Sequence, residues 1–181
     1  MKTKYWNGKR EGVAMNLFLI GFMGSGKTAA AKYLHSHHGL AVCETDQEIV
    51  CREGKQIAEI FDEYGEEYFR RAETRLLEEI SKQDGLVVSC GGGMAMRREN
   101  VSLMKGCGRI IYLKAEPQTV FNRLSGSPNV RPLLRGHMNT EYIAGLMEKR
   151  RPFYEAASDR VVSVDGKTIM EVGEEIFATI V

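Results

Sequence analysis

Residues 21–28 read Gly21-Phe22-Met23-Gly24-Ser25-Gly26-Lys27-Thr28, and their spacing satisfies G-x-x-x-x-G-K-[ST]. Upstream, Asn16-Leu17-Phe18-Leu19-Ile20 is a short apolar run with the length and composition of a buried strand. Downstream, Ala29-Ala30-Ala31-Lys32-Tyr33-Leu34 consists mostly of strong helix formers. A loop of this composition between a strand and a helix reads as a phosphate-binding loop. Its glycines let backbone N–H groups turn inward at positions a Cβ would block. The positive end of the following helix adds to the anion site. In that geometry Gly24, Ser25, Gly26, Lys27, Thr28 and Ala29 surround the phosphates, Lys27 reaches the β- and γ-phosphates, and Thr28 offers its hydroxyl to Mg²⁺. The stretch predicts a bound nucleoside triphosphate and leaves the phosphate acceptor open.

The chain has 181 residues, enough for one well-buried domain and short for two. With 43% hydrophobic and 27% charged residues, it has the composition of an ordinary soluble globular protein. A net charge of +1 provides no broad basic face for nucleic acid. No apolar run approaches the ~20 residues needed to span a bilayer. Residues 1–14 read as a frayed, flexible extension ahead of one domain at 15–181. They are polar and lack the apolar centre of a signal peptide, and Met15 is an alternative start. Cys43, Cys51, Cys90 and Cys107 include no C-x-x-C pair. The sequence therefore predicts cytosolic thiols rather than a zinc site.

Residues 40–43 read as a second strand, and Glu44-Thr45-Asp46 follows at its C-terminal end, where open α/β sheets bind ligands. Two carboxylates two residues apart there can serve Mg²⁺ and a substrate hydroxyl. Helix capping by Thr45 or Asp46 would account for one acid only. A short amphipathic helix over 55–61 is expected to break at Tyr64-Gly65. In the charged run 66–82, at ~100° per residue, Phe69, Ala72, Leu76 and Ile80 form one stripe. Arg71, Arg75 and Glu78 fall opposite. Arg70 and Glu73 sit at the edge of the stripe, one turn apart. An arginine held there by an i,i+3 carboxylate is a candidate anion clamp.

A third strand, 86–90, ends in Gly91-Gly92-Gly93. Three glycines suit a backbone that approaches a ligand closely and offers bare N–H groups. A helix is expected over 94–105, a fourth strand over 109–113, and a helix from Pro117 to about Leu124. The loop 125–136, rich in Gly, Ser, Pro and Asn and carrying Arg131 and Arg135, reads as a mobile lid. Pro152 predicts a kink or break in a helix over 140–158. A last strand at 161–164 and a helix over 168–180 close the chain. His35, His37 and His38, just before Gly39, suit a helix C-terminus better than a metal. Strands alternating with helices predict an α/β fold, a doubly wound five-stranded parallel sheet flanked by helices.

Five features join the phosphate loop in one pattern. They are Glu44-Thr45-Asp46, F-R-x-x-E at Phe69 to Glu73, Gly91-Gly92-Gly93, R-P-L-L at Arg131 to Leu134, and R-x-P-x-Y at Arg150 to Tyr154. From about Met15 to its end the chain resembles the shikimate kinase family, small P-loop kinases of the nucleoside-monophosphate-kinase fold. The resemblance implies ATP-dependent phosphorylation of the shikimate 3-hydroxyl, on the way to chorismate and aromatic amino acids. It implies Mg²⁺ as cofactor and a monomeric cytoplasmic enzyme. By the same resemblance, Asp46 bonds the acceptor hydroxyls and serves as base. Arg70 and Arg150 hold the carboxylate, and Gly92, with Gly91 and Gly93, approaches the substrate. Arg131 reaches the transferring phosphate, and Arg123 lies near the arginine that stacks on adenine.

Two positions depart from the family pattern. Glu44 stands where an aspartate usually faces Mg²⁺ through water, and its extra methylene would shift the ion or that water. Cys90 stands where a threonine is common, replacing a strong hydroxyl donor with a weak thiol. Two alternatives therefore stay open: another small-molecule kinase of this fold, acting on gluconate or a nucleotide, and a nucleotide-binding regulatory module without catalysis.

Overall fold

A computed structural model describes residues 15–126 and 139–180. The N-terminal extension, Arg131, Arg135 and most of the expected lid lie outside the described residues. Among the described residues, five strands form one all-parallel sheet. In chain order they are β1 (Asn16–Ile20), β2 (Ala41–Glu44), β3 (Leu86–Ser89), β4 (Gly108–Lys114) and β5 (Arg160–Ser163). The spatial order is β2-β3-β1-β4-β5. β1 is central and buried along its whole length, as its apolar run requires. The chain first adds strands on one side of β1 and then crosses to the other. The carboxyl end of β1 is therefore a topological switch point, where ligands bind in open α/β sheets.

Asn16 is the polar exception in β1, and it is fully satisfied. Its amide donates to Gln83 O at 2.6 Å, and its Oδ1 accepts from Leu86 N at 3.0 Å. It ties the start of β1 to the turn that leads into β3.

The helices are α1 (Lys27–His38), α2 (Thr45–Glu53), α3 (Ile57–Ile80), α4 (Arg98–Cys107), α5 (Pro117–Ser125), α6 (Thr140–Ala157) and α7 (Ile169–Phe177). Gly39 ends α1 in the left-handed region at φ 67°, with its N–H on His35 O. Two histidines at the end of α1 pack on aromatic rings. His38 stacks on Phe177 and meets Glu174 Oε1 at 2.8 Å, while His37 stacks on Tyr33. The Tyr33 ring fills the space a Cβ on Gly173 would need, so α1 and α7 pack closely.

Three local expectations change. The break at Gly65 is a kink: its φ of 79° interrupts helical geometry, but α3 resumes at once. Pro152 does not break α6, which runs through it from Thr140 to Ala157. It is exposed, so the carbonyl it leaves unpaired faces solvent, while Ile143, Tyr154 and Ala157 anchor both halves in the core. The segment after the glycines is a 3-10 turn (Met94–Met96) followed by α4, not one helix.

Candidate active site

The phosphate loop bends at three glycines with positive φ: Gly21 (144°), Gly24 (79°) and Gly26 (97°). A Cβ on Gly21 would also lie 2.6 Å from Leu113 O, so both conformation and space demand glycine there. Gly26 caps the N-terminus of α1 without a side chain, leaving the first-turn N–H groups of α1 directed at the loop. Lys27 is buried, and its ammonium donates to Gly21 O at 2.9 Å and Phe22 O at 3.0 Å. These bonds hold the charge against the loop where phosphate oxygens would compete for it. Arg123 reaches across from α5 and donates to Gly24 O at 3.1 Å.

A cavity of about 510 Å³ opens here, lined among others by Lys27, Thr28, Glu44, Asp46, Gly92 and Arg123. A smaller recess of about 260 Å³ adjoins it between Ser25, Arg123, Val164, Lys167, Ile169 and Val172. Nothing in the residue pattern singled out that recess, because it forms only when α7 folds back beside the loop.

Thr28, at the head of α1, donates to Glu44 Oε2 at 3.0 Å and has Ser89 Oγ at 3.4 Å. The other oxygen of Glu44 faces Lys32 Nζ at 3.6 Å. A hydroxyl and a carboxylate in contact at the mouth of a phosphate loop form an oxygen-only donor set. That suits a hard cation which takes few protein ligands and completes its shell with phosphate and water. The residues present therefore fit Mg²⁺. Ser89 joins this cluster unforeseen; at the end of β3 it occupies the place where many ATPases carry an aspartate.

Thr45 is buried and does not cap α2. The cap residue of α2 is Glu44, with no side-chain capping bond. Thr45 instead accepts from Gly91 N at 2.8 Å and donates to Ser89 O at 3.3 Å. It fastens the start of the triple glycine to β2 and β3, and it corrects one expectation, since the N–H of Gly91 is occupied by the protein.

The three glycines have ordinary φ, so conformational freedom is not what requires them. Space is. A Cβ on Gly91 would lie 2.6 Å from Asp46 Oδ1 and 2.7 Å from Glu73 Oε1, and one on Gly93 would overlap the Arg70 guanidinium. Gly92 stands 3.7 Å, by the same measure, from both Arg150 Nη1 and Gly21 O. The charged side chains of α2, α3 and α6 thus converge on this tripeptide beside the phosphate loop.

Arg70 is gripped on both sides. Its Nη1 donates to Glu73 Oε2 at 2.8 Å, and its Nε and Nη2 donate to Glu66 Oε1 at 3.1 and 2.8 Å. Arg71, Arg75 and Glu78 are exposed, as the stripe geometry requires. Glu73 is fully buried, and its second oxygen has no hydrogen-bond partner among the described residues. Burial pushes its carboxyl up to about 7; the neighbouring Arg70 opposes this, and Asp46 adds to it. Arg150 projects from α6 with its guanidinium 5.7 Å from the Phe22 ring centroid and Nη1 3.5 Å from Gly92 O. Arg70 and Arg150 border the glycines without lining the 510 Å³ cavity itself. Cys90 is buried with its thiol toward Val88 O and Met104.

Residues 23–181 match the family model described as shikimate kinase. A shikimate kinase of Dehalococcoides mccartyi is 42% identical over 161 residues, covering 89% of this chain and 90% of the relative. One from Persephonella marina is 42% identical over 165 residues, covering 91% of this chain and 98% of the relative. Among solved structures, the shikimate kinase from Acinetobacter baumannii in complex with shikimate superposes with a TM-score of 0.86 at 28% identity. That match covers 93% of this chain and 94% of the other. The chain belongs to the shikimate kinase family.

Proposed function

We propose that the protein transfers the γ-phosphoryl group of ATP to the 3-hydroxyl of shikimate, giving shikimate 3-phosphate and ADP. One observation carries the reading: Asp46, Arg70 and Arg150 converge on Gly91-Gly92-Gly93 beside the loop that ends in Lys27. Such a site has an anion-binding half and a half with one carboxylate and two guanidinium groups. It suits a small acceptor bearing hydroxyls and one carboxylate.

In this reading the loop N–H groups, Lys27 and Ala29 at the start of α1 hold the ATP phosphates. Arg123 and the recess beside Val164 take the base. Arg70 and Arg150 clamp the acceptor carboxylate, which fixes the ring. Asp46 accepts the proton of the attacking hydroxyl as its oxygen bonds to the γ-phosphorus and the bond to the β-phosphate oxygen breaks, the electron pair leaving with ADP. Positioning and charge neutralisation do most of the work in such a transfer. Arg131, outside the described residues, is assigned to the transferring phosphate. Thr28, with Glu44 through water, would hold Mg²⁺, which supplies neutralisation of the phosphate charge when bound. A monomer in the cytosol completes the proposal. No helix among the described residues is long and apolar enough to cross a membrane.

ADP release measured side by side with shikimate, gluconate and nucleoside monophosphates tests the reading. Turnover is expected with shikimate alone. ADP release that is indifferent to shikimate, or preferential for another acceptor, overturns it.

A further inference from the structure

We propose that Tyr154 is a positioning residue for the phosphoryl acceptor: it fixes the plane of the Gly92–Gly93 peptide and keeps Arg150 from closing on the Gly92 carbonyl. The proposal rests on the reading that shikimate is the acceptor.

Tyr154 lies on α6 and is almost wholly buried, stacked on Tyr112 at 5.1 Å between ring centroids. Its hydroxyl donates to Gly92 O at 2.6 Å. Burial raises the Tyr154 pKa, so the phenol keeps its proton and remains a donor. A trans peptide is planar, and its carbonyl and N–H point in opposite directions. Anchoring Gly92 O toward α6 therefore turns the N–H of Gly93 away from α6. The preceding peptide is set in the same way, because Gly91 O accepts from Met94 N at 3.1 Å and so orients the N–H of Gly92. No backbone carbonyl among the described residues accepts from either N–H. Thr45 closes the other end by taking the N–H of Gly91. The tripeptide is thus braced at three points, and two oriented donors are left over.

The same hydroxyl affects Arg150. Gly92 O is reached by only one other described group, Arg150 Nη1, at a long 3.5 Å. While Tyr154 satisfies this part-buried carbonyl, Arg150 has little to gain by closing on it, and the Arg150 side chain is held beside the Tyr154 hydroxyl instead. Without the hydroxyl, the carbonyl would be left unsatisfied and would draw the guanidinium in, away from a ligand carboxylate. Both consequences weaken acceptor binding and leave the nucleotide half untouched.

Tyr154→Phe removes the hydroxyl and keeps the ring. Steady-state kinetics should show the KM for shikimate raised about tenfold or more, with the KM for ATP within twofold of wild type. Tyr112→Phe, whose hydroxyl does not touch the glycines, should leave both constants unchanged. A purely structural role would lower Tm without this split. An unchanged shikimate KM, or equal rises for both substrates, overturns the proposal. As a second variant that keeps ring and hydroxyl, 3-fluorotyrosine at position 154 should shift the shikimate KM alone, and no shift counts against the proposal. If wild-type protein does not phosphorylate shikimate, the functional reading fails and takes this proposal with it; an active wild type with an unaltered Tyr154→Phe rejects Tyr154 only.

Discussion

Asp46 Oδ1 and Glu73 Oε1 approach Gly91 from two different helices, and both lie within 2.7 Å of the point its Cβ would occupy. The absence of one side-chain atom is what lets two carboxyl groups share that space. Gly91 has no positive φ, so Gly91→Ala is a steric change and not a backbone strain. It should force Asp46 or Glu73 aside and reduce kcat/KM for shikimate at least tenfold. Nucleotide affinity, followed by fluorescence of a labelled ATP analogue, should hold. Near-normal acceptor kinetics would mean that Asp46 does not need its present position.

Glu73 makes stability depend on pH in an unusual direction for a carboxylate. Its carboxyl lies near 7 in the folded protein against an ordinary 4.5. Between these values the native chain binds more protons than the unfolded chain, so stability falls as pH rises through the window from 4.5 to 7. The loss is on the order of 3 kcal/mol. Urea denaturation at pH 5 and pH 8 should show this fall in the wild type and a much flatter dependence in Glu73→Gln. Identical slopes in the two proteins would remove Glu73 as the cause.

The fold was legible because its signals are local. The apolar run at Asn16–Ile20, the alternation of strands and helices, Pro117 at a helix start and Gly39 at a helix end each act within a few residues. The site was legible where charge and spacing coincide, as at Arg70 and Glu73. Thr45, Ser89 and Tyr154 were not assigned their contacts for a different reason. Each acts through a hydrogen bond to backbone or hydroxyl groups far away in sequence, such as Tyr154 to Gly92 O, and no periodicity reports that. At Pro152 the helix continues where local propensity allows a break, because Ile143 and Tyr154 are buried on either side of it.

Lys27 serves the loop as well as its ligand. Its ammonium bonds two loop carbonyls, Gly21 O and Phe22 O. Lys27→Ala should therefore lower kcat by about 10²–10³-fold or more, through loss of charge at the transferring phosphate. The fold should survive, because the three positive-φ glycines and the α1 packing remain. Single-turnover ADP formation beside a circular dichroism melt checks both halves. Wild-type turnover in this variant would show the phosphate site to lie elsewhere.

Arg70 requires two variants, because its structural and binding roles overlap. The guanidinium compensates a fully buried carboxylate in Glu73 and is itself shared with Glu66. Arg70→Ala leaves Glu73 buried without its counter-ion, a change that costs about 3–5 kcal/mol in comparable buried pairs. Proton uptake by Glu73 will relieve part of that at low pH, so the stability defect should be larger at pH 8 than at pH 5. A fall in Tm alone would therefore say nothing about substrate. The double variant Arg70→Ala/Glu73→Gln removes the uncompensated charge and should recover most of the lost stability. It cannot restore the clamp, so shikimate affinity, measured by calorimetry, should stay at least tenfold below wild type in both variants. If the double variant regained both stability and affinity, Arg70 would be no more than the counter-ion of Glu73, and Arg150 would have to hold the acceptor carboxylate by itself.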